Sequence, residues 1–304
     1  MRFAIIRQRI KVWMLPIAMM CGVLFHNYIG AISFVAPYLI FAMLLITFCK
    51  VRPAEIRVTA LSWWLLAVQL LGSVAVYMVL SRWDSVIAQG VFICVFCPTA
   101  TAAPVITGML GGSIPRLATF SIVSNLSVAV TAPFIFAAVG DGAVSPTFMD
   151  SCGLIASRVV PLIFAPLIIA FILQYRFPRV HREIESRQQL SFYIWAVSLI
   201  IVVGNAVSFV MSEPAGCIPE MLCLTLFAGI ACCLQFWVGR KIGRKCGDRI
   251  AGAQGLGQKN TVLAIWMALS YLNPLASVAP AAYVAWQNTI NSLQLYFKAK
   301  EKPI

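Results

Sequence analysis

Ten apolar runs, each long enough to cross a bilayer, leave this chain little choice of fold. They lie at about residues 12–30, 32–49, 61–80, 86–111, 116–139, 149–174, 190–211, 220–238, 253–272 and 275–297. A helix needs roughly 20 such residues to cross the hydrocarbon core. In lipid a chain must satisfy its own backbone polar groups, so runs of this length are predicted to be helices. The linkers sort by charge. On one side fall Arg2, Arg7, Arg9 and Lys11, then Lys50, Arg52 and Arg57, then Arg116. The same side takes Arg176, Arg179, Arg182 and Arg187, then Arg240, Lys241, Arg244, Lys245 and Arg249, then Lys298, Lys300 and Lys302. The opposite linkers hold only Arg82. An excess of Lys and Arg marks cytoplasmic loops, which predicts a multi-pass protein of the cell (inner) membrane with both termini in the cytoplasm.

Composition agrees. The chain is 61% hydrophobic and 11% charged, whereas an ordinary soluble domain is about a quarter charged. Once the charges are placed, the net +13 is an orientation signal with affinity for anionic membrane lipid, and nucleic acid drops out as a partner. Most cysteines (Cys21, Cys49, Cys94, Cys97, Cys223, Cys232, Cys233) lie inside apolar runs, where a thiol acts as a small hydrophobe. None stands at zinc spacing with the two histidines. The first run follows basic residues without a small-residue cleavage site, so it is expected to be the first helix and not a removed signal peptide. The expectation is a single integral membrane unit over 1–304, as a monomer or homodimer.

Two runs are interrupted. In the fourth, residues 86–97 make a good half-helix, but Pro98 and Pro104 follow with Thr99 and Thr101 between them. Proline removes a backbone donor and clashes with the preceding turn. In the ninth, residues 252–263 read GAQGLGQKNTVL, with Gln254, Gln258, Lys259, Asn260 and Thr261 behind three glycines that interrupt the helical pattern. Unpaired amides and an ammonium are costly in hydrocarbon. Such a stretch is either a polar kink packed between helices or a broken helix lining a solute site. Each interruption precedes a polar-faced helix. The fifth run carries Ser121, Ser124 and Asn125 on one face and is expected to end near Pro133; the tenth carries Gln287, Asn288 and Asn291.

The interruptions are the fourth of five runs in each half, and an odd number of spans per half inverts the second half. The fold expected is therefore an all-α polytopic membrane protein, with two inverted five-helix repeats at 12–139 and 149–297. Helices four and nine are broken and cross near the midplane. Gln69 is the strong polar group of the third run, with Asn205 and Gln235 scattered elsewhere. Arg158, inside the sixth run, is expected to pair with Asp150 or to snorkel. All ten acids lie in loops or at span ends, while Lys259 is mid-span. Hard cations favour oxygen ligands, commonly carboxylate. An ammonium, amides and half-helix N-termini suit an anion instead. No Ser-His-Asp set, metal cluster or intramembrane acid pair points to an enzyme, and no cofactor is implied.

CPTATAAP in the fourth run, GQKNTVLA in the ninth and VAWQNTINS in the tenth resemble the bile acid:sodium symporter family, where these runs read roughly CPGGTASN, GMQNSGLA and SVWHNxSGS. The chain looks like a divergent, bacterial-type member. The resemblance implies a panel and a core subdomain formed across both repeats, and organic-anion transport by alternating access, usually with two sodium ions. It matches Thr101, Asn260, Gln287 and Asn288 to positions lining the substrate cavity. The sodium positions depart: Ala103 and Pro104 stand for a Ser-Asn pair, Gly255 for a shared glutamate, Lys259 for a glutamine and Leu117 for a hydroxyl, while Ser121 remains and Gln69 fits a helix-three ligand.

The solute-contacting residues expected are Thr99, Thr101, Asn260, Thr261, Gln287 and Asn288. Those expected to couple or replace a cation are Lys259, Gln258, Gln254, Gln69, Ser121, Ser124 and Asn125. Together they predict a secondary active transporter of a small organic anion in which Lys259 stands in for sodium. The alternatives are a sodium-coupled symporter with an altered ion site, or an anion channel.

Overall fold

The computed structural model describes residues 17–49, 57–100, 103–140, 148–212 and 215–300. Among them the regular structure is helical: α1 (His26–Ile29), α2 (Ala36–Phe48), α3 (Ala60–Leu80), α4 (Ser85–Phe96), α5 (Ala103–Leu110), α6 (Ile114–Val139), α7 (Phe148–Arg176), α8 (Pro178–Ser186), α9 (Gln188–Ser212), α10 (Ile218–Lys245), α11 (Arg249–Gly257), α12 (Thr261–Tyr271) and α13 (Val278–Lys300). Among the described residues, His26–Phe48, Ala60–Leu80, Ile114–Val139 and Ile218–Lys245 are long and apolar enough to cross a membrane. They expose large apolar side chains, including Trp63 and Leu71 on α3 and Leu222, Leu226 and Trp237 on α10. Stripes of that size on a helix exterior belong against lipid. The protein is membrane-embedded.

The helices fall into two groups. In the first, α2 packs on α7 and α9, and α9 on α1; in the second, α10 packs on α4, α11 and α13, and α3 on α4. A core shared by α2, α4, α6, α9 and α12 joins them. Its centre is aromatic, with Phe92 stacked on Phe96 at 5.1 Å and Phe136 edge-on to both.

The two short helices that enter the interior begin alike. Asp84 accepts from the Ile87 N–H at 2.7 Å at the start of α4, and Asp248 accepts from the Ala251 N–H at 2.8 Å at the start of α11. Each carboxylate caps orphan donors and favours the positive helix end. Further bonds tie the ends together. The second Asp248 oxygen accepts from the Ser113 N–H at 2.8 Å. Gln89 of α4 accepts from the Asn273 N–H at 2.7 Å and donates to the Val139 carbonyl at 3.1 Å.

Several expectations shift. The basic segment at 240–249 is no loop at first, because α10 stays helical through Lys245. Pro133 does not end its helix; α6 runs through it to Val139, as helices in lipid tolerate when neighbours re-satisfy the freed carbonyl. Arg158 lies in α7, its side chain outside the described ones. The three glycines of the ninth run do not break it either. Gly252, Gly255 and Gly257 sit inside α11, and the break follows at residues 258–260. Their role is close approach. A Cβ on Gly252 would lie 2.7 Å from Gly243 Cα, and one on Gly255 would lie 2.9 Å from Leu65 Cδ1.

Overpacking of this kind costs typically about 1–3 kcal/mol, so Gly252→Leu should lower the melting temperature of the purified protein clearly. Gly72→Ala, whose added Cβ meets only Val68 at 3.8 Å, should leave it unchanged. Detergent-solubilised thermal unfolding of the two variants beside wild type measures both.

Candidate functional site

Between α4 and α5, and again between α11 and α12, helical pairing stops inside the protein. The two gaps meet. Thr99 and Lys259 form an antiparallel bridge. The Ala100 N–H donates to the Gln258 carbonyl at 2.9 Å, and the Asn260 N–H donates to the Pro98 carbonyl at 2.8 Å. Side chains repeat the exchange. Thr99 Oγ1 donates to the Gly255 carbonyl at 2.7 Å, and Lys259 Nζ donates to the Val95 carbonyl at 2.8 Å. Residues 95, 98, 99 and 100 of one segment thus answer to 255, 258, 259 and 260 of the other, in a local two-fold arrangement. The polar-faced helices supply the next acceptors: Ser124 Oγ takes the Thr99 N–H at 3.3 Å, and Gln287 Oε1 takes the Lys259 N–H at 2.9 Å.

The carbonyl end of α4 is closed by side chains. Gln235 Nε2 donates to Cys94 at 3.2 Å, Lys259 Nζ to Val95, and Gln69 Nε2 to Phe96 at 2.8 Å and Cys97 at 3.3 Å. A helix end must place its last carbonyls somewhere, and a cation there meets the negative pole of the helix dipole. At the end of α11, Tyr283 Oη donates to the Gly257 carbonyl at 2.9 Å and accepts from Gln235 Nε2 at 3.0 Å. Lys259 is 1% exposed. Among the described residues no acidic side chain lies within ion-pair distance of it.

Around this cross-bonded backbone, several buried side-chain atoms have no partner among the described residues: Asn125 Oδ1 on α6, Gln258 Oε1 and Asn260 Nδ2 in the second gap, and Thr261 Oγ1 at the start of α12. Buried polar groups are nearly always paired. Four unpaired ones at or beside the meeting point of two interrupted helices make it the candidate solute site.

The expected residues divide accordingly. Thr99, Gln258, Lys259, Asn260 and Gln287 bond into the crossing directly, and Asn260 Oδ1 also caps α12 by accepting from the Leu263 N–H at 3.3 Å. Thr261 follows on. Gln69 and Ser124 support it, since Ser124 Oγ donates to Gln69 Oε1 at 2.7 Å. Asn125 and Ser121 lie a turn apart on α6, with Asn125 Nδ2 donating to the Ser121 carbonyl at 2.7 Å. Asn288 donates to Val284 of its own helix and, among the described residues, makes no bond to the crossing. Gln254 reaches Asn291 and Gln294 instead. Thr101 lies outside the described residues. Sequence reasoning did not single out Gln235 and Tyr283 as site residues. Gln235 had a signal available, because like Gln69 it is the strong polar group of the third run in its half.

A sodium ion does not fit the set that the family pattern implies. Gly255, Ala103 and Pro104 offer no side-chain oxygen. The Gln69 amide is used on both faces, by Phe96, Cys97 and Ser124. The Lys259 ammonium is held on the Val95 carbonyl, where its charge would repel a second cation.

Known protein-family models give no match to this chain, and neither do curated protein sequences.

Gln69→Leu would leave the Phe96 carbonyl without its donor and the Ser124 O–H without its acceptor at the crossing, and each buried orphan costs about 1–3 kcal/mol. It should therefore lower thermal stability more than Asn288→Leu, whose side chain bonds only within α13. Thermal unfolding of the two purified variants compares them.

Proposed function

We propose that this chain is a secondary active carrier that moves a small organic anion by alternating access, without a sodium gradient. The observation that carries the reading is the ammonium of Lys259, buried at the crossing on the Val95 carbonyl of α4 with no acidic side chain among the described residues within ion-pair distance. A buried charge calls for a partner, and an anionic solute arriving among the unpaired Asn260 amide and Thr261 hydroxyl supplies one. The starts of α5 and α12 add their positive dipole ends to the same place.

The finer layout belongs to the same reading. Ten spans arranged as two inverted repeats account for the matched exchange of bonds by residues 95–100 and 255–260. An inverted repeat brings equivalent segments together antiparallel across a pseudo-two-fold axis. The group of α1, α2, α7 and α9 would be the panel, and the group holding the crossing would be the core that rocks against it. The short motifs around Pro98, Lys259 and Gln287 make a divergent relationship to the bile acid:sodium symporter family the natural parentage, with both termini in the cytoplasm of the cell membrane.

In this reading the Lys259 ammonium meets the carbonyl end of α4 as a tethered counterpart of a bound cation. Its own chain positions it, so its concentration at the site does not depend on the medium.

The test begins with thermal stabilisation of the purified protein across short mono- and dicarboxylates, each with and without sodium, followed by uptake of the best ligand into proteoliposomes. Saturable uptake and counterflow are expected, and a sodium gradient should change the initial rate by less than about twofold, below the range of genuine coupling. Strong sodium stimulation that survives Lys259→Ala would overturn the reading. Steady single-channel current would replace the carrier with a channel.

A further inference from the structure

One buried polar cluster is not used by the crossing. Gln254 lies on α11 four residues before Gln258 and is completely buried. Its Nε2 donates to Asn291 Oδ1 at 3.0 Å and to Gln294 Oε1 at 3.1 Å, both on α13. Two atoms of the cluster remain unpaired among the described residues, the acceptor Gln254 Oε1 and the donor Asn291 Nδ2. Asn291 is 3% exposed, while Gln294 is only half-buried, so the cluster opens outward at that end.

An amide pair that only ties two helices together can close a reciprocal bond and leave nothing over. This pair leaves one donor and one acceptor. Turning over all three amides, Gln254, Asn291 and Gln294, exchanges which residue carries which, and the remainder is the same. The members carry no charge, so neither a carboxylate nor an ammonium is compensated here. A carboxylate offers acceptors alone and would leave the amide oxygen orphaned. A hydroxyl both donates and accepts through one atom and completes the pair.

The position fits. Gln254 is roughly 6 Å along the helix from Gln258, at 1.5 Å per residue. A short solute with its anionic group at the crossing and a hydroxyl two or three carbons away from it places that hydroxyl between α11 and α13. Both helices run from this cluster toward the ends that carry Arg249 and Lys298, the side predicted to be cytoplasmic.

We infer that Gln254, Asn291 and Gln294 form a second station that reads a hydroxyl group on the solute, and that the solute is a hydroxycarboxylate. The inference rests on the carrier reading. Recognition by a buried unpaired acceptor is selective, because a ligand lacking the donor leaves that acceptor desolvated and unsatisfied.

The experiment titrates the purified chain with two matched pairs, lactate against propionate and malate against succinate, and derives apparent affinities from thermal unfolding. The hydroxylated member should bind about three- to tenfold more tightly, the worth of one net hydrogen bond. In Gln254→Met and Asn291→Leu the two members of a pair should bind alike. Wild-type protein that binds both members of each pair equally overturns the hydroxyl station and leaves the carrier standing. A hydroxyl preference that persists in both variants also overturns it. Failure of all four compounds, and of the wider carboxylate panel, to stabilise the protein overturns the carrier reading itself. If either variant does not fold, the wild-type comparison alone decides.

Discussion

Peptide groups freed inside an apolar medium must be bonded again, and most of the structure around residues 95–100 and 255–260 follows from that demand. Each interrupted helix leaves carbonyls at one end and N–H groups at the other, and in hydrocarbon an unsatisfied group costs several kcal/mol. Neither gap solves this alone. Laid antiparallel, each supplies what the other lacks: Ala100 donates to Gln258, and Asn260 donates to Pro98. The remaining carbonyls at the end of α4 draw Gln235, Lys259 and Gln69 inward from three different elements. The packing of α3, α10 and α13 around the crossing is in part the packing needed to deliver those side chains.

The local two-fold arrangement makes its one chemical inequality easy to see. Thr99 and Lys259 occupy equivalent places and donate to equivalent carbonyls, yet one brings a hydroxyl and the other an ammonium. A neutral exchange would have closed the backbone as well. The ammonium is surplus to that structural need, and the residues that follow it, Asn260 and Thr261, carry amide and hydroxyl atoms left unpaired among the described residues. A cross-bonded backbone with side-chain atoms unpaired among the described residues is the combination expected where a ligand completes the hydrogen bonding of a preformed site.

Rigidity and openness are distributed to match. The entry ends of α4 and α11 are each capped by an aspartate, and Gln89 and Asp248 tie those helices to the turns at Asn273 and Ser113. The glycines of α11 let α10 lie directly against its backbone. The interrupted helices are therefore held from both sides as one body, and the unpaired groups are carried at its centre.

Membrane embedding was legible in the lengths of the apolar runs, and so was the place of the two interruptions, because proline spacing and a lysine among amides have few other uses in lipid. Lys259 and Thr99 stand out for the same reason, and Gln287 by the polar face of the tenth run. The glycines misled: at 252, 255 and 257 they resemble helix breakers, but in a close-packed interior the missing Cβ serves the neighbouring helix, and neighbours are not visible in a pattern. Asn288 and Gln287 are adjacent and alike in chemistry, yet one closes on its own helix and the other on Lys259. Rotation of α13 about its axis decided between them. That this chain lies in a membrane and must find partners for two broken helices is written in its residues, since both follow from the cost of polar groups in hydrocarbon. That the breaks satisfy each other, and that the Lys259 ammonium settles on Val95, emerged with the packing, because partners so far apart in the chain are set by how whole helices lie together.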